Sequence, residues 1–202
     1  MEEAELVGVI VGDGNLWTNN RSYELVISGD VNKERDYFES LAANFRDRYG
    51  VSPRIFYRSG ALRLVIRNKK LFKHLTDGIG IPIGAGKAEK VEIPAVFGDA
   101  GFADFARGFF DTDGSIFFSD KYGSPRYPSV ELTTKSGTLA RQLQAGLKSM
   151  GLSATLHRSE SVFEVCLYGT EKVLAWKRKI GSSNPYKIRK FEELSSRCRE
   201  SV

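Results

Sequence analysis

Phe105-Ala-Arg-Gly-Phe-Phe-Asp-Thr-Asp-Gly-Ser-Ile-Phe-Phe118 puts two carboxylates where a helix ought to refuse them. Ala106 to Thr112 reads as helix, and Gly114 is a natural stop. A helix C-terminus carries partial negative charge and favours Lys or Arg. Asp111 and Asp113 crowd that end instead, so a cation has to compensate.

The same oddity occurs earlier in the chain. Leu6-Val-Gly-Val-Ile-Val-Gly-Asp-Gly14 repeats the order of apolar run, glycine, small residue, Asp and Gly, with Asp13 lying 100 positions before Asp113. Internal repetition at this spacing predicts two similar halves within the 202 residues. Taken alone, each Asp-Gly is an ordinary turn signal. As a matched pair, each after an apolar helix and before a strand, they point to a shared site.

Hydrophobic residues make up 41% of the chain and charged residues 27%, which excludes disorder over its body. The formal charge of +5 with a pI near 9.2 is compatible with an anionic partner, and the basic residues cluster. Met1-Glu-Glu-Ala-Glu5 is acidic and fits neither a secretory signal nor a transit peptide. No apolar run approaches the ~18 residues that span a bilayer, so no membrane partner is expected. An intracellular protein is expected, cytoplasmic or, in a eukaryotic host, organellar. Cys166, Cys198, His74 and His157 have no partners at metal-ligand spacing along the sequence and are expected to be structural.

The remaining periodicities repeat the αββαββα order twice. Strands are expected at 15–17 and 22–27, a helix from Lys33 to Tyr49 with Tyr37, Leu41 and Phe45 on one face, a hairpin of 54–57 and 62–67 about Ser59-Gly60, and a short helix from Lys69. The second half gives a strand at 115–118, a polar loop from Ser119 to Pro128, a strand at 130–134, and a helix from Ser136 with Leu139, Leu143 and Leu147 in line. A hairpin of 154–158 and 162–167 and a helix from Thr170 follow. The domain reading is an N-terminal half at 1–77, a Gly-rich linker at 78–100, a C-terminal half at 101–184 and a basic tail at 185–202. The fold class is α/β of the α+β type, with antiparallel sheets.

Gly8 and Gly12, and likewise Gly108 and Thr112, lie four apart and leave one helix face flat, which lets two backbones approach closely. If the motif helices pack side by side, Asp13 and Asp113 converge and repel. A divalent cation resolves the conflict. Oxygen ligands without His or Cys suit Mg2+, with Mn2+ or Ca2+ able to substitute. Such a site is suited to phosphodiester hydrolysis. Asp111, two residues from Asp113, is turned away from it and reads either as a support behind the site acids or as structural.

These two stretches resemble the signature motifs of the LAGLIDADG homing endonucleases in their single-chain, two-motif form. The second motif matches closely; in the first, Val11 stands where the signature has its inner acid. The resemblance implies a monomer with a pseudo-twofold axis that cuts both strands of a long, asymmetric double-stranded DNA site. It implies that Asp13 and Asp113 are catalytic acids holding the ions, with the carbonyls of Gly12 and Thr112 assisting. It also implies a basic residue at the end of the second strand of each half. Lys135 fits in the second half, while the matching region of the first, Ser28-Gly-Asp30, offers nothing basic before Lys33 or Arg35. Some similar proteins assist RNA splicing, so intron RNA is the alternative partner, with the stretch 187–190 as its candidate surface. A DNA-binding protein that has lost cleavage is the third reading.

The strands themselves favour nucleic acid. Arg63 and Arg67 share one face of their strand, with Arg54, Tyr57 and Arg58 in the neighbouring one and Arg21 and Tyr23 at the first hairpin. In the second half His157, Arg158 and Glu164 occupy similar places, beside Lys121, Arg126 and Tyr127 in the adjoining loop. A curved sheet carrying such side chains forms a saddle that can enter the major groove, where Arg reads guanine and Glu accepts from cytosine.

Overall fold

The computed structural model describes residues 1–19, 21–58, 60–121 and 124–200, with the side chains at 58, 124, 125 and 195–200 outside the description. The two motif segments form helices α1 (Glu3–Asp13) and α5 (Phe102–Asp113), which pack against each other along their small-residue faces. The contact is as close as backbones allow. A Cβ added to Gly8 would sit 2.7 Å from the backbone nitrogen of Phe109, and one on Gly108 would run into the carbonyl group of Glu5.

Gly114 ends its helix as expected, and Gly14 ends the other, but neither takes the left-handed conformation common at such a stop. Both are extended, at φ −81° and −97°, and the chain passes straight into a strand. Glycine is required there by crowding: a Cβ would meet Ile10 Cα at 2.7 Å in the first half and Phe110 Cα at 2.7 Å in the second. Gly50, by contrast, closes its helix with φ 63°, as a C-terminal glycine does.

Strands β1 (Gly14–Thr18), β2 (Tyr23–Asp30), β3 (Arg54–Arg58) and β4 (Ala61–Arg67) form an antiparallel sheet of order β1-β2-β4-β3. Strands β5 (Gly114–Lys121), β6 (Ser124–Thr134), β7 (Thr155–Ser159) and β8 (Val162–Tyr168) repeat it as β5-β6-β8-β7. Each sheet buries one face under helices. In the first half Leu25, Ile27, Leu62, Leu64 and Ile66 pack toward α2 (Arg35–Tyr49), which offers Tyr37, Leu41 and Phe45 as its periodicity predicts. In the second, Val130, Leu132, Val165 and Leu167 face α6 (Gly137–Ser149) with Leu139, Leu143 and Leu147. The two cores are continuous through the interface of α1 and α5.

Two expectations change and one holds. The polar loop of 119–128 is largely strand, because β5 and β6 keep pairing through Phe118 with Pro128 and Ser119 with Tyr127 before a bulge. The helix from Lys69 is α3 (Lys69–Lys73) followed by a π turn, His74–Gly78. The basic tail, expected as a final helix that packs on or arms the second half, is over its described part helix α8 (Pro185–Glu200), which is built into that half. Its residues Phe191 and Leu194 are buried, and Phe191 packs on Phe110 at 5.9 Å, which in turn packs on Trp176 of α7 (Thr170–Lys179) at 5.1 Å. The connection at 78–100 carries a short helix, α4 (Lys87–Lys90), and buries Ile81 and Val91. Among the described residues no helix is long and apolar enough to cross a membrane.

Gly8→Ala or Gly108→Ala should each destabilise the protein by roughly 1–3 kcal/mol, because the added methyl has only backbone to push against. Thermal unfolding followed by circular dichroism checks this; an unchanged midpoint for both would refute the close-packed interface.

Candidate active site and nucleic-acid face

Because α1 and α5 pack with both C-termini at the same end, their last residues converge. Asp113 Oδ2 lies 3.4 Å from the point a Cβ on Gly12 would occupy. Asp13 is partly buried there, and Asp113 stands at the more exposed side of the pair. Loss of water, and then the negative charge of Asp113, push the Asp13 carboxyl up to about 7, while desolvation raises Asp113 to about 6. The repulsion belongs to the pair rather than to either acid.

The compensating cations are lysines from outside the motifs. Lys87, at the start of α4, donates from Nζ to the carbonyls of Ile10, at 3.2 Å, and Gly14. Lys187, in the first turn of α8, donates to the carbonyls of Phe110, of Gly114 at 2.7 Å and, weakly, of Thr112 at 3.4 Å. Each ammonium thus caps the negative end of one motif helix. Burial, the largest cause, lowers both to about 8, and the acid pair opposes that shift. The two lysines are themselves 100 positions apart, the interval of the aspartates, and that interval was the sequence signal that could have found them.

Asp111 explains how Lys187 arrives. It is fully buried, and it accepts from the Ser182 hydroxyl and from the Ser183 backbone N–H at 2.7 Å. Asn184 donates to the Asp111 carbonyl at 3.3 Å and to Glu34 Oε1 at 3.0 Å, fastening the entry of α8. The hydroxyl of Ser183 also bonds Glu5, which Arg107 neutralises at 3.3 Å. Asp111 is therefore a structural anchor, as expected. Burial nevertheless raises its pKa to about 7.

Lys135 is exposed just past β6, and among the described residues it makes no hydrogen bond or ion pair to Asp13 or Asp113. Lys33 pairs with Asp30 at 3.4 Å and stands over the ring of Tyr186, and Arg35 stands over Tyr57 and pairs with Glu39. The proposed RNA surface at 187–190 loses its first member, because Lys187 is buried, and Lys190 Nζ is engaged with the Ile116 carbonyl at 3.2 Å.

The open faces of the sheets sort the remaining candidates. Pairing places Arg63, Arg67 and Arg54 together on the face opposite the core, with Glu24 bonded to Arg67 at 2.6 Å and with the half-exposed rings of Trp17 and Phe56. Arg21 is exposed in the β1–β2 turn. Arg58 ends β3, but its side chain lies outside the described residues. Tyr57 and Tyr23 are on the other face. Tyr57 pairs with buried Leu62, and Tyr23 packs edge-on against Phe72 at 5.3 Å, because strand alternation sends them to the helix side. In the second half Glu164, His157, Tyr127 and Lys121 belong to the open face, Lys121 standing 4.8 Å over the ring of Tyr168. Arg158 does not, since it pairs with Phe163 and lies over that ring on the helix side. Arg126 is turned to α8, where it pairs with Glu193 at 2.8 Å.

Between about pH 4 and pH 7 the folded protein holds protons on Asp13 and Asp113 that the unfolded chain has released, so stability falls as pH rises through this window. Asp13→Asn in EDTA should therefore raise the unfolding midpoint at pH 7.5 by a few degrees, about 2–4 °C per kcal/mol for a chain of this size, and leave it unchanged at pH 4. Equal gains at both pH values would contradict the strained pair.

Both halves match known family models. Residues 2–94 match the WhiA LAGLIDADG-like domain, and residues 103–181 match the LAGLIDADG-like domain. No curated protein sequence matches the chain. Among solved structures, the homing endonuclease I-DmoI in complex with DNA and Ca is 18% identical, with 94% of this chain and 96% of that one covered at a TM-score of 0.65. The LAGLIDADG meganuclease I-AabMI bound to uncleaved DNA is 14% identical, with 100% and 93% covered at 0.66. The N-terminal LAGLIDADG domain of DUF199/WhiA is 16% identical, with 88% and 81% covered at 0.58. With two family domains in tandem, one fold shared with single-chain meganucleases and both motif acids at the central helix ends, this chain belongs to the LAGLIDADG family in its two-motif form.

Proposed function

We propose that the protein is a site-specific endonuclease that hydrolyses both strands of a long, asymmetric duplex DNA site, as a monomer and with a divalent cation, Mg2+ foremost. The observation that carries this reading is the convergence of Asp13 and Asp113 at two helix C-termini, where loss of water and, for Asp13, the charge of its partner hold each carboxyl above its ordinary range in spite of Lys87 and Lys187. Among the described residues the motif helix ends bring carboxylate and carbonyl oxygens together, a set that fits a hard divalent ion. Asp13, Asp113 and the Gly12 carbonyl would hold it. Thr112, the fourth expected ligand, already has Lys187 at its carbonyl. When bound, such an ion supplies Lewis-acid stabilisation of charge on a scissile phosphate.

The lysines take different parts. An ammonium has three protons to donate. Lys187 directs them at three carbonyls and so acts as a fixed positive charge near the phosphate. Lys87 contacts two carbonyls, leaving one N–H to turn toward a phosphate oxygen. Lys87 thus supplies the first-half basic group that the Ser28-Gly-Asp30 region lacks, and Lys135 serves at the rim of the second. Arg54, Arg63 and Arg67 on one sheet, and the polar open face of the other, read the duplex.

A second reading is a DNA-binding protein of this fold that does not cut. The match of residues 2–94 to the WhiA LAGLIDADG-like domain favours it.

Cleavage of a plasmid library with randomised inserts, with and without Mg2+, decides between them. The endonuclease reading expects Mg2+-dependent double-strand breaks at a recurring sequence. It expects Asp13→Asn and Asp113→Asn to lose at least about 100-fold in rate while still binding that sequence. Lys187→Met should be impaired to a similar degree and Lys135→Ala far less. Sequence-selective binding with no nick at any metal concentration would establish the non-cleaving reading instead. The rate should also rise with pH from about 6 to 8 as both acids ionise, and a rate falling over that range would count against their role.

A further inference from the structure

The two sheets can be superposed by their pairing alone. Gly14 pairs with Ile27, Ile27 with Leu64 and Leu64 with Ile55; in the second half Gly114 pairs with Leu132, Leu132 with Val165 and Val165 with Leu156. One residue along, Arg63 sits between Ser28 and Phe56, and Glu164 sits between Thr133 and His157. Arg63 and Glu164 are therefore equivalent positions with opposite charge. The inversion extends to their neighbours. The paired valines Val26 and Val65 become Glu131 and Cys166, and Arg67 and Arg54 become Tyr168 and Thr155.

The second open face is thus centred on carboxylates. The side-chain oxygens of Glu131 and Glu164 and the sulfur of Cys166 all lie within 4.8 Å of one another. Among the described residues no Lys, Arg or His forms an ion pair with either glutamate. His157, across from Glu164, is bonded to the Tyr168 hydroxyl at 3.2 Å. Cys166 donates to Glu131 at 3.7 Å, and burial pushes its thiol up to about 11, so it is present as a neutral thiol. Two adjacent anions on a face turned to DNA would be repelled by phosphates. They accept hydrogen bonds and donate none. The donors a major groove offers are the amino groups of cytosine and adenine, whereas an Arg is satisfied by the acceptor edge of guanine.

We infer that Arg63 and Glu164 are the residues that make the target asymmetric: Arg63 selects guanine in one half-site, and Glu164, supported by Glu131, selects an amino-bearing base, cytosine foremost, at the symmetry-related position of the other. This rests on the proposed duplex-DNA reading. In a palindromic site the two positions would carry the same base on opposite strands. Here they carry complementary hydrogen-bonding demands.

Selection of binding sites from a randomised duplex library in EDTA tests it, with circular dichroism confirming that each variant is folded. The wild-type protein should prefer cytosine at one position and guanine at its symmetry mate, each by about 10-fold or more. Glu164→Ala should flatten the first preference only, and Glu164→Arg should convert it to guanine, making that pair of positions palindromic. Arg63→Glu, on the exposed face of the other sheet, should do the reverse. Selected sites identical for wild type, Glu164→Arg and Arg63→Glu would overturn the inference while leaving DNA recognition standing. Enrichment of no sequence by the wild-type protein would bring down the duplex-DNA reading along with it.

Discussion

Two negative helix ends, each carrying an extra carboxylate, are pressed together at the centre of this protein. Coulomb repulsion there is strong because water is partly excluded, and helix dipoles add to it. Three features make the arrangement tolerable. Backbone contact at Gly8 and Gly108 holds the helices in place by packing, which has no charge dependence. Lys87 and Lys187 neutralise the carbonyl ends. The acids themselves shed part of the strain by holding protons at neutral pH.

The lysines set the organisation of the rest. Lys87 sits at the head of a four-residue helix in the connection between halves, and Lys187 opens the last helix of the chain. Both segments would be peripheral if judged by composition. Each is tied down by burial instead: Val91 follows α4 into the core, and α8 is pinned by Phe191, Leu194 and the Asp111 network. Asp111 thereby has a use that its counterpart Val11 does not share, and the two halves reach the same endpoint through different supports.

The sheets diverge in the same way. Pairing is preserved residue for residue between halves, because the buried faces meet equivalent helices and tolerate only apolar residues. The open faces carry less packing constraint, with Ser129 and Cys166 buried there but their neighbours largely accessible, so their chemistry is freer to differ. One has become a row of guanidinium groups and the other a pair of carboxylates beside a thiol.

Much of this was decided by the amino-acid sequence. Strand alternation and helical spacing gave the doubled αββαββα order and the buried faces of α2 and α6, because those patterns depend on local geometry alone. The repeat of Asp13 at Asp113 located the centre of the molecule. What only the tertiary structure decided is what depends on contacts across long sequence separations. Lys87 and Lys187 look like linker and tail until packing carries them to carbonyls 73 to 77 residues away. Tyr23, Tyr57 and Arg158 sit in the right strands but on the helix side, since a side chain's face follows from the register with its neighbour. Gly14 and Gly114 read as helix stops, whereas crowding by Ile10 and Phe110 is what excludes a side chain there, a steric fact visible only once the chain has turned into its sheet.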